Sequence, residues 1–139
     1  MKYRASKDGF KSTDFHSKRD GIANTLTIIK AKSGNIFGGF TEKVWHSSCG
    51  FVTDPKAFIF SLFNKEEKQF LVMSSNEGQL AVCNNSKFGP CFGGEGSYVK
   101  EICVHSDSNM NKKSVSNLGY AYQHPDYVRE TDRAQNILA

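Results

Sequence analysis

The residues best suited to chemistry lie in one stretch, FGPCFGGEGSYVKEICVHSDS, at positions 88–108. It contains four glycines, two cysteines, two glutamates and a histidine. Such residues serve four purposes: glycine-rich loops cradle phosphates, cysteine and histidine bind metals, thiolates react with oxidants, and glycines turn the chain. The spacing of the residues is what distinguishes these uses.

The glycine spacing argues against phosphate binding. A dinucleotide-binding loop has Gly-x-Gly-x-x-Gly between a strand and a helix. Here Gly93, Gly94 and Gly96 precede the strand-like segment SYVKEICV, and the lysine and hydroxyl of a P-loop are missing. We interpret these glycines as places where strands bend or approach another backbone closely.

The potential metal ligands are also poorly spaced. Cys83, Cys91, Cys103 and His105 lack the Cys-x2-Cys or His-x3-His pairs that put two ligands on one turn. The sequence therefore predicts no metal and no cofactor, although convergence of these side chains in three dimensions is left open.

Glu101, Cys103 and His105 alternate along a predicted strand and would share one face. Neighbours on that face lie about 6–7 Å apart at Cα, whereas a nucleophile and its base need about 3 Å between heavy atoms. The strand alone therefore forms no catalytic dyad, and we expect its face to be partly exposed. The residues predicted to be buried on the opposite face are Tyr98, Ile102 and Val104.

Cys103 is nevertheless a candidate redox thiol, because Lys100 or His105 could lower its pKa. His46 and Cys49 lie in a predicted loop without the context of a cysteine protease. Free cysteines are more often small buried hydrophobes, so we expect structural roles for the others. These other cysteines are Cys49, Cys83 and Cys91. His16 and His124 are interpreted as surface or capping groups, and the predicted core includes Trp45, Phe58, Phe60 and Tyr122.

The composition indicates one folded domain spanning residues 1–139. The chain is 38% hydrophobic and contains 12 further glycines, which is typical of globular proteins. The net charge is +4, of which residues 1–20 carry +3, so we expect a solvated surface rather than a nucleic-acid interface. No apolar run of about 18 residues and no secretory signal are present, so we expect a cytoplasmic protein with reduced thiols and no membrane insertion.

The elements that must position these residues are mostly short strands. Residues 12–20 predict a helix with Ser12 as its N-cap. Thr25–Lys30 and Asn35–Phe40 predict a hairpin whose turn needs a positive φ at Gly34.

The segment DPKAFIFSLFN predicts a central strand covered on both sides, because both of its faces are apolar. One face carries Phe58, Phe60 and Leu62, and the other carries Ile59 and Phe63. The further predictions are a hairpin formed by residues 68–75 and 79–85, a strand at 97–106, a loop at 107–117 and a helix from Thr131. The sequence thus predicts an α+β, mainly β fold, with two antiparallel sheets packed as a sandwich and peripheral helices.

Several ordered motifs resemble those of the TLDc domain family. They are KYRASKDGF, TLTIIKAKSGNIFGGF, Trp45, DPKAFIFSL from Asp54, FGPCFGG from Phe88 and SNLGYAYQHPDY from Ser116. The resemblance covers nearly the whole chain and implies the same two-sheet sandwich. Family domains usually continue into a strand resembling EIEVY, so it also implies that the domain is incomplete at both ends, which would expose a sheet edge or core face.

The resemblance also implies a function. Such domains protect cells against oxidative damage, and several bind the vacuolar proton-pumping ATPase. We therefore expect a non-enzymatic protein-interaction module whose partner is that pump, and as an alternative a thiol-dependent antioxidant that uses Cys103. The resemblance carries over no catalytic residues. The motif positions to which it assigns structural roles are Gly38, Gly39, Trp45, Asp54, Pro55, Phe92, Gly93, Gly94, Asn117, Gly119, His124 and Pro125.

Overall fold

Two antiparallel sheets and two short helices form the structure, a computed structural model that describes residues 2–65, 69–94, 100–116 and 121–122. The helices are α1 (Ala5–Asp8) and α2 (Ser12–Arg19). The strands are β1 (Thr25–Lys30), β2 (Ile36–Thr41), β3 (Gly50–Val52), β4 (Phe58–Phe63), β5 (Phe70–Met73), β6 (Val82–Asn84), β7 (Phe88–Phe92), β8 (Ile102–His105) and β9 (Val115–Ser116).

The strand order confirms the predicted fold class. One sheet has four strands in the order β1-β2-β4-β5, and the other has five in the order β3-β6-β7-β8-β9. A single buried core lies between them, because strand residues alternate in direction and each sheet directs one set of side chains inward. The four-stranded sheet contributes Phe37, Ile59 and Val72, and the five-stranded sheet contributes Val82, Phe92 and Ile102.

The first predicted elements are present. The hairpin joins β1 to β2, with Thr25 opposite Thr41, and Gly34 in its turn has a φ of 93°. The predicted helix is α2, but Ser12 is its first residue rather than its N-cap. The N-cap is Lys11, whose backbone N–H donates to the Asp14 carboxylate at 3.0 Å.

The predicted central strand, β4, lies between β2 and β5, but the expectation that it is covered on both sides is wrong. Phe58 is only half-buried, and Leu62 and Phe63 are exposed. The other sheet covers the face that carries Ile59. On the opposite face Phe60 is buried, with 8% of its surface exposed, as the sequence predicted, whereas Phe58 and Leu62 are not buried. The apolar pattern on that face of β4 therefore reflects burial only at Phe60.

The predicted hairpin between residues 68–75 and 79–85 is wrong. β5 pairs with β4, whereas β6 pairs with β3 and β7, so the two segments belong to different sheets. A 3-10 turn at Asn76–Gly78 and a positive φ at Leu80 carry the chain from one sheet to the other. Turn residues near two apolar runs signal a reversal, but they do not specify which sheet receives the second strand.

Two further predictions differ from the structure in detail. Within the described part of the predicted strand at 97–106, β8 spans Ile102–His105, and the predicted loop contains the short strand β9. β3 and β7 were not predicted from the sequence. The predicted helix from Thr131 lies outside the described residues.

Candidate functional site

The Asp-Pro motif forms a buried hydrogen-bonding centre. Oδ2 of the fully buried Asp54 accepts hydrogen bonds from the Thr41 hydroxyl at 2.5 Å and from the Glu42 backbone N–H at 2.9 Å. Oδ1 accepts a hydrogen bond from the Lys56 backbone N–H at 3.1 Å. The exposed Pro55 lies in the turn between Asp54 and Lys56. The carboxylate thus joins the end of β2 to the turn before β4. Its role in the described structure is to hold these segments together.

The two Phe-Gly-Gly elements meet between the sheets. A Cβ atom added to Gly39 on β2 would lie 2.9 Å from Cζ of Phe92 on β7, so only glycine leaves room for that ring. Trp45 packs edge-on against the same ring, with centroids 5.6 Å apart. Gly38 serves a different contact, since a Cβ there would lie 1.9 Å from the Thr27 carbonyl oxygen. The sequence shows the repeated motif but not that one copy packs against the other.

The glycines after β7 accommodate a buried carboxylate. Gly93 has a φ of 68°, and a Cβ there would lie 1.8 Å from Oε2 of Glu101. Oε1 of this glutamate accepts the backbone N–H groups of Ala121 at 2.6 Å and Tyr122 at 3.4 Å. Gly94, with a φ of 130°, follows in the same turn. Gly93 therefore permits the close approach of a buried side chain.

Some residues named in the sequence interpretation lie outside the described residues. Four are motif positions, one was predicted to be buried, and one is a glycine of the glycine-rich stretch. They are Asn117, Gly119, His124 and Pro125, then Tyr98, then Gly96.

The expectation of a partly exposed face at Glu101 and Cys103 is wrong. Both side chains are buried, with 0% and 1% of their surface exposed, whereas Val104, predicted to be buried, is half-buried. β8 lies between β7 and β9, and Cys103 belongs to a second hydrophobic cluster on the outer face of the five-stranded sheet. His105 packs edge-on against Phe88 instead, with ring centroids 4.7 Å apart, and burial lowers the pKa of this histidine.

The second cluster brings three thiols together. Cys83, Cys91 and Cys103 lie on the adjacent strands β6, β7 and β8 and are all buried. A hydrogen bond from Cys91, with the nearby Lys100 ammonium, lowers the pKa of Cys83 to about 6. Hydrogen bonds with Cys103 and Cys83, together with burial, raise the pKa of Cys91. Cys49, expected to be a buried structural residue, is exposed in the loop before β3.

His16 is not the surface or capping group that was expected. It is buried on α2, where Nδ1 lies 2.6 Å from Oδ1 of Asp20. Nε2 faces the carbonyl oxygens of Asn85 at 3.0 Å and Phe88 at 2.9 Å and donates to them, since carbonyl oxygens only accept. His16 therefore attaches α2 to the five-stranded sheet.

The outer face of the four-stranded sheet is apolar and open. Ile28 on β1 is 60% exposed and Leu71 on β5 is 55% exposed. These strands are at opposite edges of the sheet, and a groove of about 530 Å³ lies over it. We call this surface the outer apolar face. The strand register arranges it as two rows, Leu26-Phe40-Phe58-Met73 and Ile28-Gly38-Phe60-Leu71.

Among residues 2–65, 69–94, 100–116 and 121–122, no group of three histidine, cysteine or carboxylate side chains could hold a metal ion. Within those same ranges, no helix is long and apolar enough to span a membrane.

Comparison with known proteins identifies the family. No curated protein matches the chain. The sequence model of the TLDc domain, however, matches residues 1–137 of the 139 residues. The match covers nearly all of the chain, including the Phe-Gly-Gly elements and the Asp-Pro motif described above. This chain therefore belongs to the TLDc domain family.

Proposed function

We propose that this chain is a non-enzymatic protein-interaction module of the oxidative-stress-resistance type. Membership of the TLDc family supports a role in oxidation resistance in general. The observation that carries the proposal further is the outer apolar face, which spans all four strands of one sheet.

The exposure of this face is unusual for a monomer. Soluble monomers rarely expose large contiguous apolar patches, and such patches commonly bind other proteins. Fully burying a leucine or isoleucine side chain contributes about 1.5–3 kcal/mol. Leu26, Ile28 and Leu71 each retain more than half of their exposure, so a partner with an apolar surface could recover much of this free energy.

The described polar side chains support the non-enzymatic part of the proposal. Asp54, Glu101 and His16 each hold backbone segments together through hydrogen bonds. These contacts give each side chain a structural role. The burial of the three side chains is therefore explained without a role in catalysis.

From the family resemblance, we propose that the partner is the vacuolar proton-pumping ATPase. The chain would bind this pump in the cytoplasm. The test is binding of the purified chain to isolated pump subunits, with Ile28→Glu as the variant. We expect at least tenfold weaker binding, because the variant removes apolar burial and places a carboxylate in the interface. The matched control is Met110→Glu, at an 82% exposed residue in the turn after β8, which should bind normally.

Two results would contradict the proposal. One is absence of binding by the unsubstituted chain, and the other is equal binding by Ile28→Glu. Light scattering adds a further check. If the unsubstituted chain is a dimer and Ile28→Glu is a monomer, the outer apolar face belongs to a second copy and not to the pump.

A further inference from the structure

A row of apolar side chains and thiols crosses the outer face of the five-stranded sheet. Phe51 on β3 lies opposite Cys83 on β6, and Cys91 on β7 lies opposite Cys103 on β8. Val82 pairs with Phe92, so the same antiparallel register puts the next residue, Cys83, opposite Cys91. β9 completes the row with Val115, the partner of Cys103.

Adjacent thiols in this row are placed for disulfide formation. Directly opposed residues in antiparallel strands have Cα atoms about 4.5–5.5 Å apart. A disulfide requires about 4.4–6.8 Å, so a bond between neighbours needs little movement of the backbone. This geometry applies to the pair Cys83 and Cys91, and also to Cys91 and Cys103. The surroundings of the row distinguish the two pairs.

A buried ammonium group lies at one end of the row. Lys100 is buried, and its Nζ lies 4.4 Å from the centroid of the Phe51 ring, which is the neighbour of Cys83. The same ammonium interacts with the Cys83 sulfur through charge and a hydrogen bond. Cys91 lies opposite Cys83 on the adjacent strand, and its interaction with the Cys83 sulfur also lowers the pKa of that thiol. Of the pair Cys83 and Cys91, Cys83 is thus the thiol better able to exist as a thiolate, which is the reactive form.

We propose that Cys83 and Cys91 form a peroxide-sensitive dithiol, in which Cys83 is oxidised first and Cys91 completes a disulfide. This inference goes beyond the proposed interaction function and does not depend on it. It also differs from the hypothesis that Cys103 reacts alone, because the Lys100 ammonium acts on Cys83 of β6, whereas Cys103 lies two strands away on β8.

The chemistry uses one molecule of hydrogen peroxide for each disulfide. The Cys83 thiolate attacks one peroxide oxygen, the O–O bond breaks, and the released hydroxide takes a proton to become water. Cys83 is then a sulfenic acid. The Cys91 sulfur attacks the Cys83 sulfur, the S–O bond breaks, and the leaving hydroxide takes the Cys91 proton as a second water. The two thiols lose two electrons, which peroxide accepts. Two equivalents of an external thiol return the disulfide to two thiols and form their own disulfide.

The primary experiment uses the unsubstituted full chain, so it does not depend on a variant that folds. The chain is treated with one equivalent of hydrogen peroxide, free thiols are alkylated, and mass spectrometry of its peptides maps the products. We expect a Cys83–Cys91 disulfide to form before the exposed Cys49 is oxidised. Initial oxidation of Cys49 or Cys103, or a first disulfide between Cys91 and Cys103, would overturn the proposal.

The pH dependence of thiol oxidation tests whether Cys83 is the first thiol to react with peroxide. The rate at which peroxide consumes the Cys83 thiol should rise as pH passes through about 6, because the thiolate replaces the thiol. The variant Lys100→Met should move this midpoint to a higher pH, because it lacks the ammonium that stabilises the Cys83 thiolate. A midpoint unchanged by Lys100→Met would contradict the assignment of Cys83 as the first thiol.

Two matched variants separate the partners of Cys83. In Cys91→Ala, Cys83 should stop at the sulfenic acid and be trapped by dimedone. In Cys103→Ala, which removes the other neighbour of Cys91, the disulfide should form at a rate within about twofold of that in the unsubstituted chain. Loss of the disulfide in Cys103→Ala, with Cys83 still reduced, would show that the three thiols do not react in the proposed order.

Discussion

Asp54 shows how a carboxylate that suggests chemistry can be explained by backbone hydrogen bonds. Its two oxygens accept one hydroxyl and two backbone N–H groups, and the side chain is fully buried. A buried carboxylate is costly unless such donors surround it. Asp54 therefore determines how the end of β2 meets the turn before β4.

We expect Asp54→Asn to lower the free energy of unfolding by about 2 kcal/mol, because its amide group would present a donor where the carboxylate accepts a hydrogen bond. Urea unfolding measures the loss. The control is Asp107→Asn at an exposed position, which should change stability by less than about 0.5 kcal/mol. Similar losses in the two variants would show that the buried hydrogen bonds do not carry the effect.

At the scale of elements, the contact between β2 and β7 depends on the absence of a side chain. Gly39 leaves space for the Phe92 ring, and Trp45 closes over the same ring. Because the interior is closely packed, a single added methyl group must displace this aromatic cluster or separate the sheets.

We expect Gly39→Ala to cost about 2 kcal/mol of stability, as overpacking of a core commonly does. Gly50→Ala on β3 is the matched control, since a Cβ there meets nothing within 4 Å. It should be neutral or slightly stabilising, because alanine restricts the unfolded chain. Thermal unfolding compares the two, and a Gly39→Ala protein as stable as Gly50→Ala would refute the proposed close contact.

At the scale of the whole molecule, the two sheets have different outer faces. The five-stranded sheet carries the buried thiol row on its outer face, whereas the four-stranded sheet presents the outer apolar face. Similar apolar strand patterns are thus buried on the outer face of one sheet and exposed on the outer face of the other.

We expect the double variant Ile28→Thr and Leu71→Thr to leave stability within about 1 kcal/mol, because both side chains are already more than half exposed. Ile59→Thr, on the opposite face of the same sheet, should cost about 2–4 kcal/mol by burying a hydroxyl and removing core volume. Chemical denaturation distinguishes the faces. A loss of several kcal/mol in the double variant would mean that the outer apolar face packs inside the protein.

Local pattern was sufficient for most of the longer strands and for the first hairpin. The β1–β2 turn needs a positive φ, which Gly34 supplies, and the strand propensities on either side predict the pairing. Order and spacing of motifs were also sufficient for the family. These properties depend on residues that are close in sequence, or on the order of motifs along the chain.

Only the tertiary structure decided which surfaces are buried and which residues meet. Sequence did not show that β5 and β6 separate into different sheets, that His16 is buried, or that Phe92 fills the space beside Gly39. It also suggested Cys103 as a lone thiol, whereas the strand register joins Cys83, Cys91 and Cys103 into one row. The physical reason is that these contacts join residues distant in sequence, and the side-chain alternation of a strand is the same whichever sheet covers it.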